Sequence, residues 1–194
     1  MTDNEFEDAQ SLWKFFYGQE CFRKVKATVE HILEFQLDTH HEIYYPLLVA
    51  IYTIYAKPFT FSRPAVGTIP EDIVPNDFRE LHQQLITHRH QIYAHTDAKG
   101  FEIAERGNVN QVRFLVTADG TVHLFAPLFQ TRPPLLPKIR ELCAILQEKC
   151  RYHVNKLQLR HKRQIPAVPG EYVINVLDKE GSFLVKSTPL LNSL

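Results

Sequence analysis

Apolar residues recur with a helical period from the start of this chain. Phe6, Ala9, Trp13 and Phe16 make one stripe, and Phe22, Val25, Val29, Ile32 and Leu33 make a second. They lie three and four positions apart, as the buried face of a helix requires. Residues 4–36 therefore read as helix, either one long element or two joined near Gly18. Asp38-Thr39-His40-His41-Glu42 offers a capping box, with Thr39 as the cap and Glu42 three residues later. The helix that follows runs to about Ala56 and is apolar nearly all round, which marks it as the central one. Pro46 either kinks it or sits in its first turn, and Pro58 stops it. A loop with Pro64, Gly67, Pro70 and Pro75 leads to a third helix, with Asp77 and Glu80 as its capping pair and Gly100 placed to close it. Counting from Phe78, Leu81, Leu85, Ile86, Ile92 and Tyr93 form its apolar stripe.

After Gly100 the period changes to two. Val112, Phe114 and Val116 alternate with Gln111, Arg113 and Leu115, and Asp119-Gly120 turns the chain into Val122-His123-Leu124-Phe125. That pattern predicts a hairpin with a type I′ turn. A helix is expected from about Pro137 to Arg160, burying Ile139, Leu142, Leu146, Cys150, Val154 and Leu157. Pro166, Pro169 and Gly170 break the chain again. Tyr172-Val173-Ile174-Asn175-Val176 and Ser182-Phe183-Leu184-Val185 then read as a second hairpin or an extended arm. The expected fold class is α+β, mainly α. An antiparallel helical bundle spans 1–163 with a hairpin at 110–126 inserted, and a strand-containing arm covers 164–194.

A chain of 194 residues is long enough to bury a core as one domain with an appendage. Lysine plus arginine equals aspartate plus glutamate, at 22 each, so no overall field attracts nucleic acid, although a local basic patch does not register in the total. The three cysteines are Cys21, Cys143 and Cys150. The last two are about 10 Å apart along a predicted helix, too far for a disulfide. A reducing cytosol suits so sparse a set. The acidic N-terminus has no signal-like apolar core, and the longest apolar run, Ile43 to Ala56, is too short to span a bilayer. The expectation is a soluble, cytoplasmic protein without membrane contact.

The chemistry concentrates at the end of the third helix. Arg89 points down the middle of the apolar stripe, where a charge that cannot be removed at neutral pH must meet a carboxylate, carbonyls or a bound anion. Beside it Gln84, His88, Gln91 and His95 form a polar strip at i, i+4, i+7 and i+11. On a straight helix His95 is about 9 Å along the axis from Arg89 and about 120° around it. The two converge on one ligand only if the helix loosens near its end or a second copy faces the first. A permanent guanidinium and an imidazole that trades protons near pH 7 suit a phosphodiester. The arginine stabilises the charge of the pentacovalent transition state, and the histidine moves the proton.

The run Arg89-His90-Gln91-Ile92-Tyr93-Ala94-His95 resembles the motif of the HEPN superfamily: an arginine, a polar residue, then a histidine after a short gap at the end of a bundle helix. Ala94-His95-Thr96-Asp97 is similar to the ending found in bacterial members that include abortive-infection proteins. The resemblance covers residues 1–100. It implies metal-independent RNA cleavage at a site shared by two subunits, or a degenerate binding module that keeps the fold. In that reading Arg89 and His95 are catalytic, with His90, Tyr93 and Asp97 in support and no cofactor. The partners it implies are a second copy, an RNA substrate and an antitoxin or regulatory protein.

Other residues compete for attention. The chain has ten histidines. His40, His41 and Glu42 with His82, His88 and His95 offer imidazole ligands between helices, but no HExxH, paired ExxH or CxxC spacing accompanies them, so no metal is assigned. Arg160, Lys162 and Arg163 close the long helix as a basic cluster. This is ordinarily a macrodipole and solvation effect, and its functional version is an RNA-binding patch. Tyr44, Tyr45, Tyr52 and Tyr55 fit core packing with satisfied hydroxyls better than a base-stacking surface. Asp97 pairs with Arg89 or orients His95 in a neighbouring subunit, or else only forms the turn toward Gly100. Walker, GxSxG and dinucleotide motifs are absent. The favoured function is a HEPN-like endoribonuclease of a defence or toxin system. The alternative is a catalytically inactive interaction module of the same fold.

Overall fold

A computed structural model of the chain describes residues 2–38, 41–60, 67–89, 113–125, 135–174, 176–177, 179–180 and 184–186. Over these residues the fold is mainly α with two small antiparallel sheets, the α+β class that the sequence predicts. The helices are α1 (Asp3–Glu34), α2 (Tyr44–Ala56), α3 (Arg79–His88) and α4 (Leu135–Arg160). The strands are β1 (Arg113–Val116), β2 (Val122–Phe125), β3 (Tyr172–Ile174) and β4 (Leu184–Lys186). No helix among the described residues is long and apolar enough to cross a membrane.

The first helix is one element that runs through Gly18 without a break. Thr2 and Glu5 open it with the reciprocal bonds of a capping box: the Glu5 N–H donates to Thr2 Oγ1 at 3.2 Å, and the Thr2 N–H donates to Glu5 Oε2 at 2.7 Å. Its far end closes in a Schellman turn. Leu37 N–H reaches the Ile32 carbonyl and Gln36 N–H that of Leu33, with Gln36 at φ 50 in the position glycine usually fills.

Two compact units make up the chain. The first comprises 1–21, 57–73 and 145–194. Within it α1 and α4 pack antiparallel. Asp8 meets Arg160 and His161, Phe15 stacks on His153 with ring centroids 4.2 Å apart, and Gly18 lies against Cys150 and Ile69. Ala9 of the first predicted stripe is buried, as are Phe15 and Cys21 nearby, and Phe6 is half-buried, whereas Trp13 is 41% and Phe16 53% exposed, which corrects two positions of that stripe. The stripe set by Phe22, Val25 and Val29 extends back through Gly18 and Phe15, leaving Trp13 and Phe16 about 100° or more away from Phe15. Trp13 instead stacks on Tyr17, centroids 4.9 Å apart. In the C-terminal arm, β3 and β4 pair with Val173 opposite Val185, so the arm contains a second hairpin.

The second unit comprises 22–56 and 74–144. Here α2 buries Tyr44, Leu48, Ile51, Tyr52, Tyr55 and Ala56. Tyr45, at 38% exposure, shows that this helix is not buried all round. Pro46 occupies its first turn, where no intrahelical N–H is needed. The predicted cap of α3 also needs correction. Asn76–Phe78 form a 3-10 turn that contains Asp77, and α3 starts at Arg79 with no side-chain cap at Phe78. Pro75 sets that turn, and the chain enters α3 directly from it. The hairpin register pairs Val116 with Val122, and its turn is not type I′. Thr117 N–H donates to the Thr121 carbonyl at 2.9 Å and Gly120 N–H to the Thr117 carbonyl at 2.8 Å. Gly120 is at φ 83 and Asp119 is not among the positive-φ residues. The result is a three-residue loop with a left-handed glycine. Asp119 selects it by accepting from the Thr121 N–H and from the Thr117 and Thr121 hydroxyls, bonds a two-residue turn does not offer. Thr39, His40 and Gly100 lie outside the described residues. The predicted α4 face holds throughout: Ile139, Leu142, Leu146, Cys150, Val154 and Leu157 are all buried.

Candidate functional site

The helix that carries Arg89 is seated on α2 by aromatic and imidazole side chains. Tyr55 OH lies 2.8 Å from His82 Nδ1, with Tyr55 0% and His82 3% exposed. Such a pair resists removal from either side, because a buried polar atom deprived of its partner keeps its desolvation cost. One and a half turns further along α3, the His88 ring lies 5.5 Å from that of Tyr52. Burial lowers the His88 imidazole below its ordinary value, so it is neutral at pH 7.

His82, Leu85 and Arg89 stand at i, i+3 and i+7, one face of the helix. Leu85 is buried, and Arg89, the C-cap residue, is half-buried. The Arg89 backbone stays helical at φ −58, ψ −45, its N–H shared between the Leu85 and Ile86 carbonyls.

His90, Tyr93, His95 and Asp97 lie outside the described residues, as does Gln91. Of the polar strip, Gln84 is exposed and reaches Glu80 on its own helix at 3.5 Å, while His88 turns toward Tyr52. The basic cluster belongs to the first unit. Arg160 is engaged there: its guanidinium donates to both Asp8 carboxylate oxygens at 2.7 and 2.9 Å. Lys162 and Arg163 are exposed on the 3-10 turn Lys162–Gln164 that follows α4. Arg160 therefore ties α4 to α1, and Lys162 and Arg163 remain presented to solvent.

The sequence weighed His82 only as a candidate metal ligand, not as the anchor of this helix. This histidine falls within about 20° of Arg89 around the helix, so the apolar stripe that singled out Arg89 marks it equally. Among the described residues no three histidine, cysteine or acidic side chains gather where they could hold a metal ion. Cys143 and Cys150 are buried, and burial pushes the Cys150 thiol up to about 12 and Cys143 further, which suits inert packing rather than nucleophilic work. The described part of the site thus provides a guanidinium at the end of a firmly seated helix, next to an uncharged imidazole. No protein-family model, curated protein or solved structure matches the chain.

Proposed function

We propose that this chain is a HEPN-like, metal-independent endoribonuclease of a cytoplasmic defence or toxin system, working as a homodimer and held in check by an antitoxin or regulatory protein. The observation that supports the reading is Arg89 as the half-buried C-cap of α3, in line with His82 and Leu85, with its helix anchored by the Tyr55–His82 bond. Arg89 and His95 converge on one ligand only where the helix loosens beyond Arg89 or a second copy faces the first. In the proposed reaction the ribose 2′-oxygen attacks phosphorus while His95 of one subunit takes its proton. Arg89 stabilises the pentacovalent phosphorane. The P–O5′ bond breaks, the 5′-oxygen is protonated by the partner's histidine or by water, and a 2′,3′-cyclic phosphate remains. His90, Tyr93 and Asp97 orient the phosphate and the imidazole.

The test is cleavage of single-stranded RNA in excess chelator, with cyclic-phosphate ends as product and DNA left intact because it lacks the attacking hydroxyl. One observation favours the second reading, a non-catalytic interaction module: Arg89 is in line with buried His82 and Leu85, as a structural arginine would be. In that case Arg89→Ala lowers the melting temperature strongly and the wild type cleaves no RNA.

A further inference from the structure

His161, just past the end of α4, is held at both ring nitrogens. Nε2 lies 2.7 Å from Asp8 Oδ2, and Nδ1 lies 2.7 Å from Gln164 Oε1. The amide of Gln164 has no freedom to turn over, because its Nε2 donates to Glu5 Oε1 at 2.6 Å. Flipping it would set Oε1 against a carboxylate and its NH2 against the ring. Glu5 is itself committed: its other oxygen accepts from the Thr2 N–H. That backbone bond, followed by the Gln164 bond, holds the Glu5 carboxyl below the usual carboxylate range. Both atoms facing the imidazole are therefore acceptors, and only an imidazolium donates from both nitrogens.

We propose that His161 is a proton-operated latch that fastens the start of the C-terminal arm to the first turns of α1, closed when the ring carries both protons and loosened when it loses one. Neutral His161 leaves one of these two contacts acceptor against acceptor. The side chains of His161 and Asp8 are each only 14% exposed, whereas Gln164 is exposed, so a ring that keeps its proton toward Asp8 exchanges the direct Gln164 bond for a solvated one. The two states of the latch are compared at pH 6 and pH 8. Charged groups near the ring belong to α1, to α4 and to the 3-10 turn that follows it. Asp8 and Glu5 belong to α1, Arg160 is the last residue of α4 and pairs with Asp8, and Lys162 and Arg163 lie on the 3-10 turn. Farther along the arm Lys179 pairs with Asp3 at 2.5 Å. The latch thus gives the arm a pH response that does not depend on the proposed RNA chemistry.

The experiment is amide hydrogen exchange of the full chain at pH 6 and pH 8, corrected for intrinsic rates, alongside 15N shifts of the His161 ring. Protection in residues 3–8 and 161–174 is expected to fall at least fivefold from pH 6 to pH 8, while the interior of α2 keeps its protection. The ring should show two protonated nitrogens at pH 6. His161→Gln, which does not titrate, should abolish the pH dependence. Equal protection at both pH values, or a neutral ring at pH 6, overturns the latch. Should His161→Gln fail to fold, the wild-type ring shifts and exchange decide the matter alone.

Discussion

Replacing Tyr55 by phenylalanine removes a single oxygen from the packing of α2 against α3. The hydroxyl lies 2.8 Å from His82 Nδ1, and neither residue has more than 3% of its surface exposed. The lost bond contributes about 1 kcal/mol in net terms, but the imidazole left facing a C–H edge retains its desolvation penalty, so Tyr55→Phe is expected to cost about 1–3 kcal/mol. For a chain of this length each kcal/mol moves the melting temperature by about 2–4 °C. The expected shift is therefore downward by roughly 2–12 °C. His82→Leu strands the phenol instead and costs a similar amount plus any misfit of shape. The double variant has neither orphaned group and should lose about 1–2 kcal/mol less than the sum of the singles. Urea unfolding of the four proteins closes the cycle. Additivity within about 0.5 kcal/mol would mean that the two residues do not act as a pair, and the anchoring of α3 would need another source.

Gly18→Ala sets helix propensity against packing. Alanine gains about 1 kcal/mol in the helix, but its methyl collides with Ile69 Cδ1 and touches Cys150 Sγ. Ile69 is 1% exposed, so its displacement costs about 1–3 kcal/mol. Calorimetry should show a neutral to lowered melting temperature, and a clear rise would refute the close approach. Partial burial works to raise the Asp8 carboxyl, but its hydrogen bonds with Arg160 and His161 outweigh that and hold it below the ordinary carboxylate value. The folded value being the lower one, the Asp8 contribution is complete above about pH 5 and is lost as pH falls through the folded value. The stability gap between wild type and Asp8→Asn should close on acidification in thermal melts; a gap unchanged down to pH 3 counts against the ion pair. The buried thiols Cys21, Cys143 and Cys150 should resist alkylation at pH 8 and all react in urea, as counted by mass spectrometry. Rapid native labelling of Cys143 or Cys150 would contradict their burial.

The long helices were legible in the sequence because their buried faces are periodic over many turns. All six residues assigned to the α4 face are buried. Trp13 and Phe16 misled because they are large and apolar at helical spacing, yet they are exposed while the smaller Ala9 and Cys21 on the same helix are buried. Propensity also misjudged the Asp119-Gly120 turn. The dipeptide fits several loop types, and the choice rests on Thr117 and Thr121, whose hydroxyls and N–H engage Asp119. At the site, the periodicity that marked Arg89 was sufficient to find His82, but a neutral histidine in an apolar stripe attracts less notice than a permanent charge. The partnership of Arg160 with Asp8 joins residues 152 positions apart, and no local pattern announces it.

The most direct test of the central claim is one cleavage assay on wild type, Arg89→Lys and His95→Ala, each first shown to melt normally, on single-stranded RNA in excess chelator. Arg89→Lys keeps the charge but loses the planar donor fork, and His95→Ala removes the proton carrier. The account predicts wild-type cleavage to cyclic-phosphate ends, with both variants reduced about a hundredfold or more. Folded wild-type dimer that leaves RNA intact, or activity that disappears with chelator and returns with a divalent ion, would contradict it.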